Sequence, residues 1–184
     1  MSETKIPRYE PLPLPERRAL SDAEALAEAH AFLALMKQRH TVRDYSDRTV
    51  PEEVIAAAVA AAGTAPSGAN QQPWHFCAIS DPVLKARIRN AAEAEEDRFY
   101  EGGAGDAWLA ALEPIGTGAL KPHLTDAPWL IVIFAQRYGV GSDGERYKHY
   151  YVPESVGLAT GFLITALHMA GLSSLIHTPN PMKF

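Results

Sequence analysis

Four groups of side chains combine types and spacings that suit chemistry. Arg39, His40, Thr41 and Arg43 fall within five residues, and two guanidinium forks flanking a hydroxyl match a phosphate or carboxylate bidentately. The same residues also fit as solvated cations at the end of a preceding helix. The second group, residues 64–74, reads TAPSGANQQPW. Its small residues expose backbone N–H groups to a flat ligand, and the amides of Asn70, Gln71 and Gln72 can read that ligand's edge. On composition alone it is a polar turn. In the third group, Glu96 and Tyr100 are four apart and share one helical face. With Lys121 they offer both signs of charge to a zwitterion, although three surface residues is the simpler reading of the types alone. The fourth is His177-Thr178-Pro179, where a hydroxyl after a strand points into a site or a strand merely turns. No metal-ligand spacing is found: the seven histidines include no His-x-x-x-His pair, and Cys77 is the single cysteine. Walker, Rossmann and Gly-x-Ser-x-Gly patterns are also absent.

These groups need elements to position them. Ser21 with Glu24 three residues on forms a capping box and predicts a first helix to about Lys37, with Leu26, Ala29, Phe32, Leu33 and Met36 at helical spacing. Pro51 opens a second, alanine-rich helix that Gly63 closes. Asp81-Pro82 starts a third. The apolar stripe of this third helix (Leu84, Ile88, Ala91, Ala92) gives way to Glu93, Glu95, Glu96, Asp97 and Arg98, and residues 101–119 hold five glycines. A helix that loses its core face and enters such a connection is weakly anchored, which predicts either a lid over about 93–121 or a solvated loop. Strands are predicted at 74–79 and at 129–135, the latter a continuous apolar run buried on both faces. Cys77 lies within the first of these and is expected in the core. A long helix over about 154–170, ended by Gly171, precedes a short third strand at 173–177. The class is α+β, with a sheet between helices.

The 184 residues fit one domain, here 21–184, after a proline- and arginine-bearing arm at 1–20. Hydrophobic residues at 47% and charged residues at 21% describe a globular chain. Seventeen basic against 22 acidic residues leave a net charge of −5, which argues against nucleic-acid binding. The N-terminus lacks a signal-peptide pattern, and the run Val156–Leu172 is interrupted by Thr160, Thr165 and His168, so no membrane span is expected. One cysteine fits a reducing cytoplasm.

Taken in order, the groups resemble the nitroreductase superfamily of FMN enzymes. RHTVRDYSDRTVPEEVI, AAGTAPSGANQQPWHF, WLIVIF and SVGLATGFLITALHMAGL follow that family's course over about residues 35–184. Within it the sequence is most similar to the iodotyrosine deiodinase branch. That branch is marked here by Thr64–Ala69, by Glu96 with Tyr100, by Lys121 before Asp126-Ala127-Pro128, by His149-Tyr150-Tyr151 and by Thr178-Pro179.

The resemblance implies a nitroreductase-type fold, a central mixed sheet flanked by helices, in a domain-swapped-like homodimer with FMN at the subunit interface. It implies that Arg39, His40, Thr41 and Arg43 bind the FMN phosphate, ribityl chain and ring edge. Ser67 and Gly68 would lie along the flavin from across the interface. Ala69 would offer its backbone N–H to a substrate phenolate, while Glu96, Tyr100 and Lys121 hold the amino acid's ammonium and carboxylate and close the lid. Thr178 would donate to flavin N5, with His177 beside it, favouring one-electron steps in reducing a carbon–halogen bond. The implied activity is reductive dehalogenation of halogenated tyrosine, with electrons from NAD(P)H or a partner protein. A broad nitroaromatic or quinone reductase is the alternative enzyme, and a flavin- or amino-acid-binding protein without turnover the alternative of another class. His40 stands where the family usually has arginine. Family members also continue beyond the position of Phe184 with a leucine-rich Gly-Arg-Pro segment, a further strand and a late arginine to the FMN phosphate, so the sequence is expected to be C-terminally incomplete.

Overall fold

The computed structural model describes residues 10–11 and 13–178. The chain forms two compact units that divide between Lys37 and Gln38, one helix later than the end of the expected arm. In the first unit, α1 (Asp22–Met36) begins at the capping box: Ser21 Oγ accepts the Glu24 N–H at 3.4 Å, and Glu24 Oε2 accepts the Ser21 N–H at 2.8 Å. No residue of α1 is buried, and Leu26, Phe32 and Leu33 are each at least half exposed.

The second unit is built on α2 (Glu52–Gly63) packed against α6 (Val152–Met169). The alanines of α2 let another helix come close, and α6 presents Ser155, Ala159, Leu163 and Leu167, one every fourth residue, as a buried stripe. Ile55, Ala58, Ala62, Leu163 and Leu167 form the core, and Phe76, Trp129, Ile131 and Ile133 pack onto it. α6 stops at Gly171, whose φ of +76° suits glycine, with the Leu172 N–H returning to the Leu167 carbonyl at 2.9 Å. Among the described residues no helix is long and apolar enough to cross a membrane.

The packed sheet is an antiparallel pair, β1 (Trp74–Ile79) and β2 (Leu130–Ala135), with Phe76 opposite Ile133 and Cys77 opposite Val132. Burial on both faces, expected for 129–135, is not found: α2 and α6 cover one face, and the alternate residues Cys77 and Phe134 are exposed. Cys77 is therefore not a core residue of this chain. The third strand expected at 173–177 is reduced to a single parallel bridge between Thr41 and Ser174. Just past the bridge, the Val42 carbonyl accepts the Tyr45 hydroxyl at 2.9 Å. Among the described residues the central sheet is thus a small antiparallel pair flanked by helices, with this parallel bridge apart from it. A second antiparallel pair, β3 (Tyr138–Val140) with β4 (Arg146–Lys148), leaves no sequence signal because each strand is three residues long.

α3 (Pro82–Arg98) starts where Asp81 caps it, accepting the Leu84 N–H at 2.7 Å. The glycine-rich connection that follows is more ordered than composition suggests. It carries a π-helical turn, Phe99–Gly103, and α4 (Asp106–Leu112), then returns through α5 (His123–Asp126). Phe99 stacks edge-on against Trp108 at 4.9 Å, giving this segment a small apolar centre. The buried Lys85 donates to the Ala127 carbonyl and ties α3 to the end of α5.

Candidate active site

The Thr41–Ser174 bridge, with the Val42 N–H donating to the Ser174 carbonyl at 3.3 Å, lays the arginine-bearing segment along the chain leading to Thr178. Two groups far apart in sequence thus adjoin. Arg39 and Arg43 are half-buried, while His40 and Thr41 are exposed. The charge of Arg43 is felt at Tyr45, where burial raises the hydroxyl pKa and Arg43 opposes the rise, and also at His123. Pro179 lies outside the described residues, as do residues 181–184.

The third group is not a set of surface residues. Glu96 and Lys121 are buried, and Glu96 Oε2 meets Lys121 Nζ at 3.1 Å. Lys121 Nζ also lies 5.8 Å from the centre of the Tyr100 ring, whose hydroxyl shares a 2.8 Å hydrogen bond with Thr117 Oγ1. On the other carboxylate oxygen, Oε1, His177 Nε2 stands at 3.2 Å. The imidazole of His177 therefore faces the end of α3, and through it the fourth group joins the third.

Three residues outside the four groups, Glu93, Arg89 and His123, complete this cluster. Glu93, one turn before Glu96, accepts the Lys121 backbone N–H at 2.6 Å and Arg89 Nε at 2.8 Å. Burial pushes the Glu93 carboxyl up, but these hydrogen bonds and then the charge of Arg89 outweigh it and hold the group below its usual value. Arg89 also donates to Thr125 Oγ1 at 2.9 Å. Lys121 is thus held twice from α3, by its main chain and by its side chain. Position 93, expected as the point where anchoring is lost, is where the returning chain is fastened. The third residue is His123, buried edge-on to His177 with ring centres 5.3 Å apart. Its Nε2 has no hydrogen-bond partner among the described residues, and its pKa falls to about 4 through burial, then the neighbouring His177, Lys121, Arg43 and Arg89. The local signal in the sequence is that Glu93 and Glu96 stand three apart on one face.

The second group forms a strained turn elsewhere. Ala69, Asn70 and Gln72 have φ of +50°, +51° and +47°, and Tyr151, which packs on the turn, has +52°. Left-handed backbone at non-glycine residues costs on the order of 1–3 kcal/mol each and is kept where surroundings over-determine it. Those surroundings are explicit. The Gly68 N–H donates to Ser155 Oγ at 3.2 Å, Ser67 Oγ accepts the Gln72 N–H at 2.9 Å, and Gln71 Oε1 accepts the Tyr150 N–H at 2.8 Å. A Cβ at Gly68 would lie 2.9 Å from Tyr151 Cδ2 and 3.1 Å from the Tyr150 carbonyl. The side-chain amides of Gln71 and Gln72 donate to the carbonyls of Lys148 and Gly63, so they build the turn and do not face outward to a ligand. Exposed Ala69 is different: among the described residues nothing accepts its backbone N–H. No hydrogen bond among the described residues joins this turn to Arg43, Glu96, Tyr100, Lys121 or His177.

One chain therefore presents two parts. One is a cationic seam beside a dry cluster of opposite charges, suited to an anionic group and to a zwitterion. The other is a rigid turn with an unengaged N–H, suited to an anionic oxygen. Residues 36–182 match the model of the nitroreductase family. The chain is 51% identical over 161 residues to an iodotyrosine deiodinase of Haliscomenobacter hydrossis, covering 88% of this chain and 72% of that one. It is 42% identical over 159 residues to an iodotyrosine deiodinase of Daphnia pulex, covering 86% of this chain and 53% of the relative. The chain thus spans between about half and three quarters of the length of these relatives. A crystal structure of oxidized iodotyrosine deiodinase bound to FMN and 3-iodo-L-tyrosine superimposes with a TM-score of 0.70 at 36% identity, over 80% of this chain and 74% of that chain. A BluB-like flavoprotein from Clostridium difficile shares the fold, with a TM-score of 0.61 at 21% identity over 80% of this chain and 74% of the other.

Proposed function

Because this chain belongs to the nitroreductase family, we propose that it is an FMN-dependent oxidoreductase that reductively dehalogenates halogenated tyrosine. The residues present fit the cofactor. Half-buried Arg39 and Arg43 flank Thr41 and suit its phosphate, and the Thr41–Ser174 bridge ties that segment to the chain leading to Thr178, whose hydroxyl would hydrogen-bond the flavin. Exposed His40 and Thr41 serve the phosphate and ribityl chain. When bound, FMN would supply the two electrons, drawn from NAD(P)H in the cytoplasm, that with a proton replace the carbon–halogen bond by a C–H bond and release halide.

Everything else falls to the protein's own residues. Glu96 takes the substrate ammonium, and Lys121 with Tyr100 takes its carboxylate, exchanging one buried ion pair for two. Ala69 donates its free N–H to the phenolate. Ser67 and Gly68 reach the flavin from a second copy of the chain, which fits a turn that makes no hydrogen bond to the charged cluster of its own chain. The exposed apolar residues Leu158, Phe162 and Met169 on α6, and Leu26, Phe32 and Leu33 on α1, support a homodimer.

The observation that carries this reading is the buried Glu96–Lys121 pair beside Tyr100, since a dry cation and anion side by side are complementary to a zwitterion. Glu96→Gln tests it. The affinity for 3-iodo-L-tyrosine should fall by about tenfold or more, the lower end of a charge-assisted bond. Reduction of a nitroaromatic without an amino-acid group should continue at an unchanged rate per bound flavin. Equal loss with both substrates defeats the assignment and favours a general nitroaromatic reductase.

A further inference from the structure

We propose that His177 is a positioning residue for the amino-acid end of the substrate: its Nε2–H fixes Glu96 Oε1, so that Glu96 stays in place as a full anion when Lys121 turns to the substrate carboxylate. The inference rests on the reading of Glu96 and Lys121 given above and adds a residue to it.

The geometry separates the two partners of Glu96. Lys121 holds Oε2 at 3.1 Å and His177 holds Oε1 at 3.2 Å, so neither blocks the other. They also belong to different parts of the unit. Lys121 lies at the return of the 99–121 segment, whereas His177 follows the Ser174 bridge to Thr41. A zwitterion brings its own cation and anion, and inserting it exchanges the Lys121 contact for an ammonium. The His177 contact is the one left to hold the carboxylate, whose side chain is only 10% exposed. Without it, Glu96 would have to be positioned by the ligand alone, at an entropic cost of fixing its rotamer on each binding event.

A neutral donor is what this task requires. An imidazolium against Oε1 would cancel the charge that attracts the ammonium, while a neutral N–H orients the carboxylate and leaves its charge available. The surroundings keep the ring neutral: burial lowers the His177 pKa, the Glu96 hydrogen bond opposes this, and the Lys121 charge lowers it again. His123, from α5, presses edge-on against the ring and is itself held neutral. The charged groups around the two rings are Glu93, Glu96 and Arg89 from α3, Lys121 before α5, and Arg43 from the seam. Protonating His177 would place a further cation among three.

The test titrates FMN-loaded protein with 3-iodo-L-tyrosine from neutral to acid pH, in the wild type, His177→Gln and His177→Leu. Gln offers an amide N–H near the Nε2 position and does not titrate; Leu offers no donor. His177→Leu should lose about tenfold in affinity, the scale of one hydrogen bond to a charged group. His177→Gln should stay within about threefold of wild type and retain its affinity to lower pH. Reduction of 2-iodophenol, per bound flavin, is the reference that lacks the amino-acid group. An unchanged affinity in His177→Leu overturns the proposal, as does an equal fall with iodophenol, which places His177 at the flavin. If Glu96→Gln also leaves 3-iodo-L-tyrosine affinity unchanged, the zwitterion reading itself falls. A loss in Glu96→Gln with none in His177→Leu defeats only the role of His177.

Discussion

Arg43 is half-buried within electrostatic reach of His123, and two measurements follow from that one position. Arg43→Ala should weaken FMN binding by on the order of 1.5–3 kcal/mol, the range for a charge-assisted hydrogen bond, in a flavin fluorescence titration. The same change removes a cationic neighbour from His123, so its pKa should rise from about 4, as followed by NMR of the ring protons. Unchanged values in both would detach Arg43 from the site. At this scale the sequence was legible in parts. The arginine–threonine spacing and the shared face of Glu96 and Tyr100 are local, and periodicity reveals them. Burial of Glu96 and Lys121 is not local, because it depends on how α5 brings the chain back to α3. Nor do residue types reveal that His177 turns to Glu96, since a ring after a strand has no face assigned by period.

Among the elements, the base of the 99–121 segment is fastened by Glu93 and its tip is largely exposed. The hydrogen bonds that depress the Glu93 pKa stabilise the fold only while the carboxylate is ionised. Their contribution is complete above the unfolded value of 4.5 and is lost as pH falls through the lower folded value. Glu93→Gln should reproduce the acid state at neutral pH, with faster hydrogen exchange across 99–121 and unchanged exchange in α2. Identical exchange in that segment would mean that Arg89 and the side-chain pair suffice. The strained turn gives a second expectation at this scale. Gly68→Ala should destabilise the protein by about 1–3 kcal/mol in urea unfolding, since the new methyl meets the Tyr150 backbone. Caps and proline starts were readable for α1, α2 and α3 because Ser21, Pro51 and Asp81 act within one turn of themselves. The β3–β4 pair and α4 were not, being too short to express a period, and the expected third strand is a single bridge between Thr41 and Ser174.

For the molecule as a whole, the proposed active site takes its turn from one copy and its charged cluster from another, so assembly and flavin content should fail together. Phe162→Glu, on the exposed face of α6, should give a monomer by sedimentation and lower the flavin retained on purification. A dimer that persists with full flavin would place the interface elsewhere. The order of the long elements, α1, α2, β1, α3, β2 and α6, was legible, yet the open face of the sheet was not. An apolar run such as 129–135 records that burial is needed, not whether its own chain or another supplies it. The left-handed turn carries one more consequence, for anyone improving this protein's tolerance of heat. Four non-glycine residues held at positive φ are a standing debt against the folded state. Random screens for heat resistance should therefore be drawn to positions 69, 70, 72 and 151, where relaxing the backbone is the cheapest gain, and the hardiest survivors there should be the poorest catalysts.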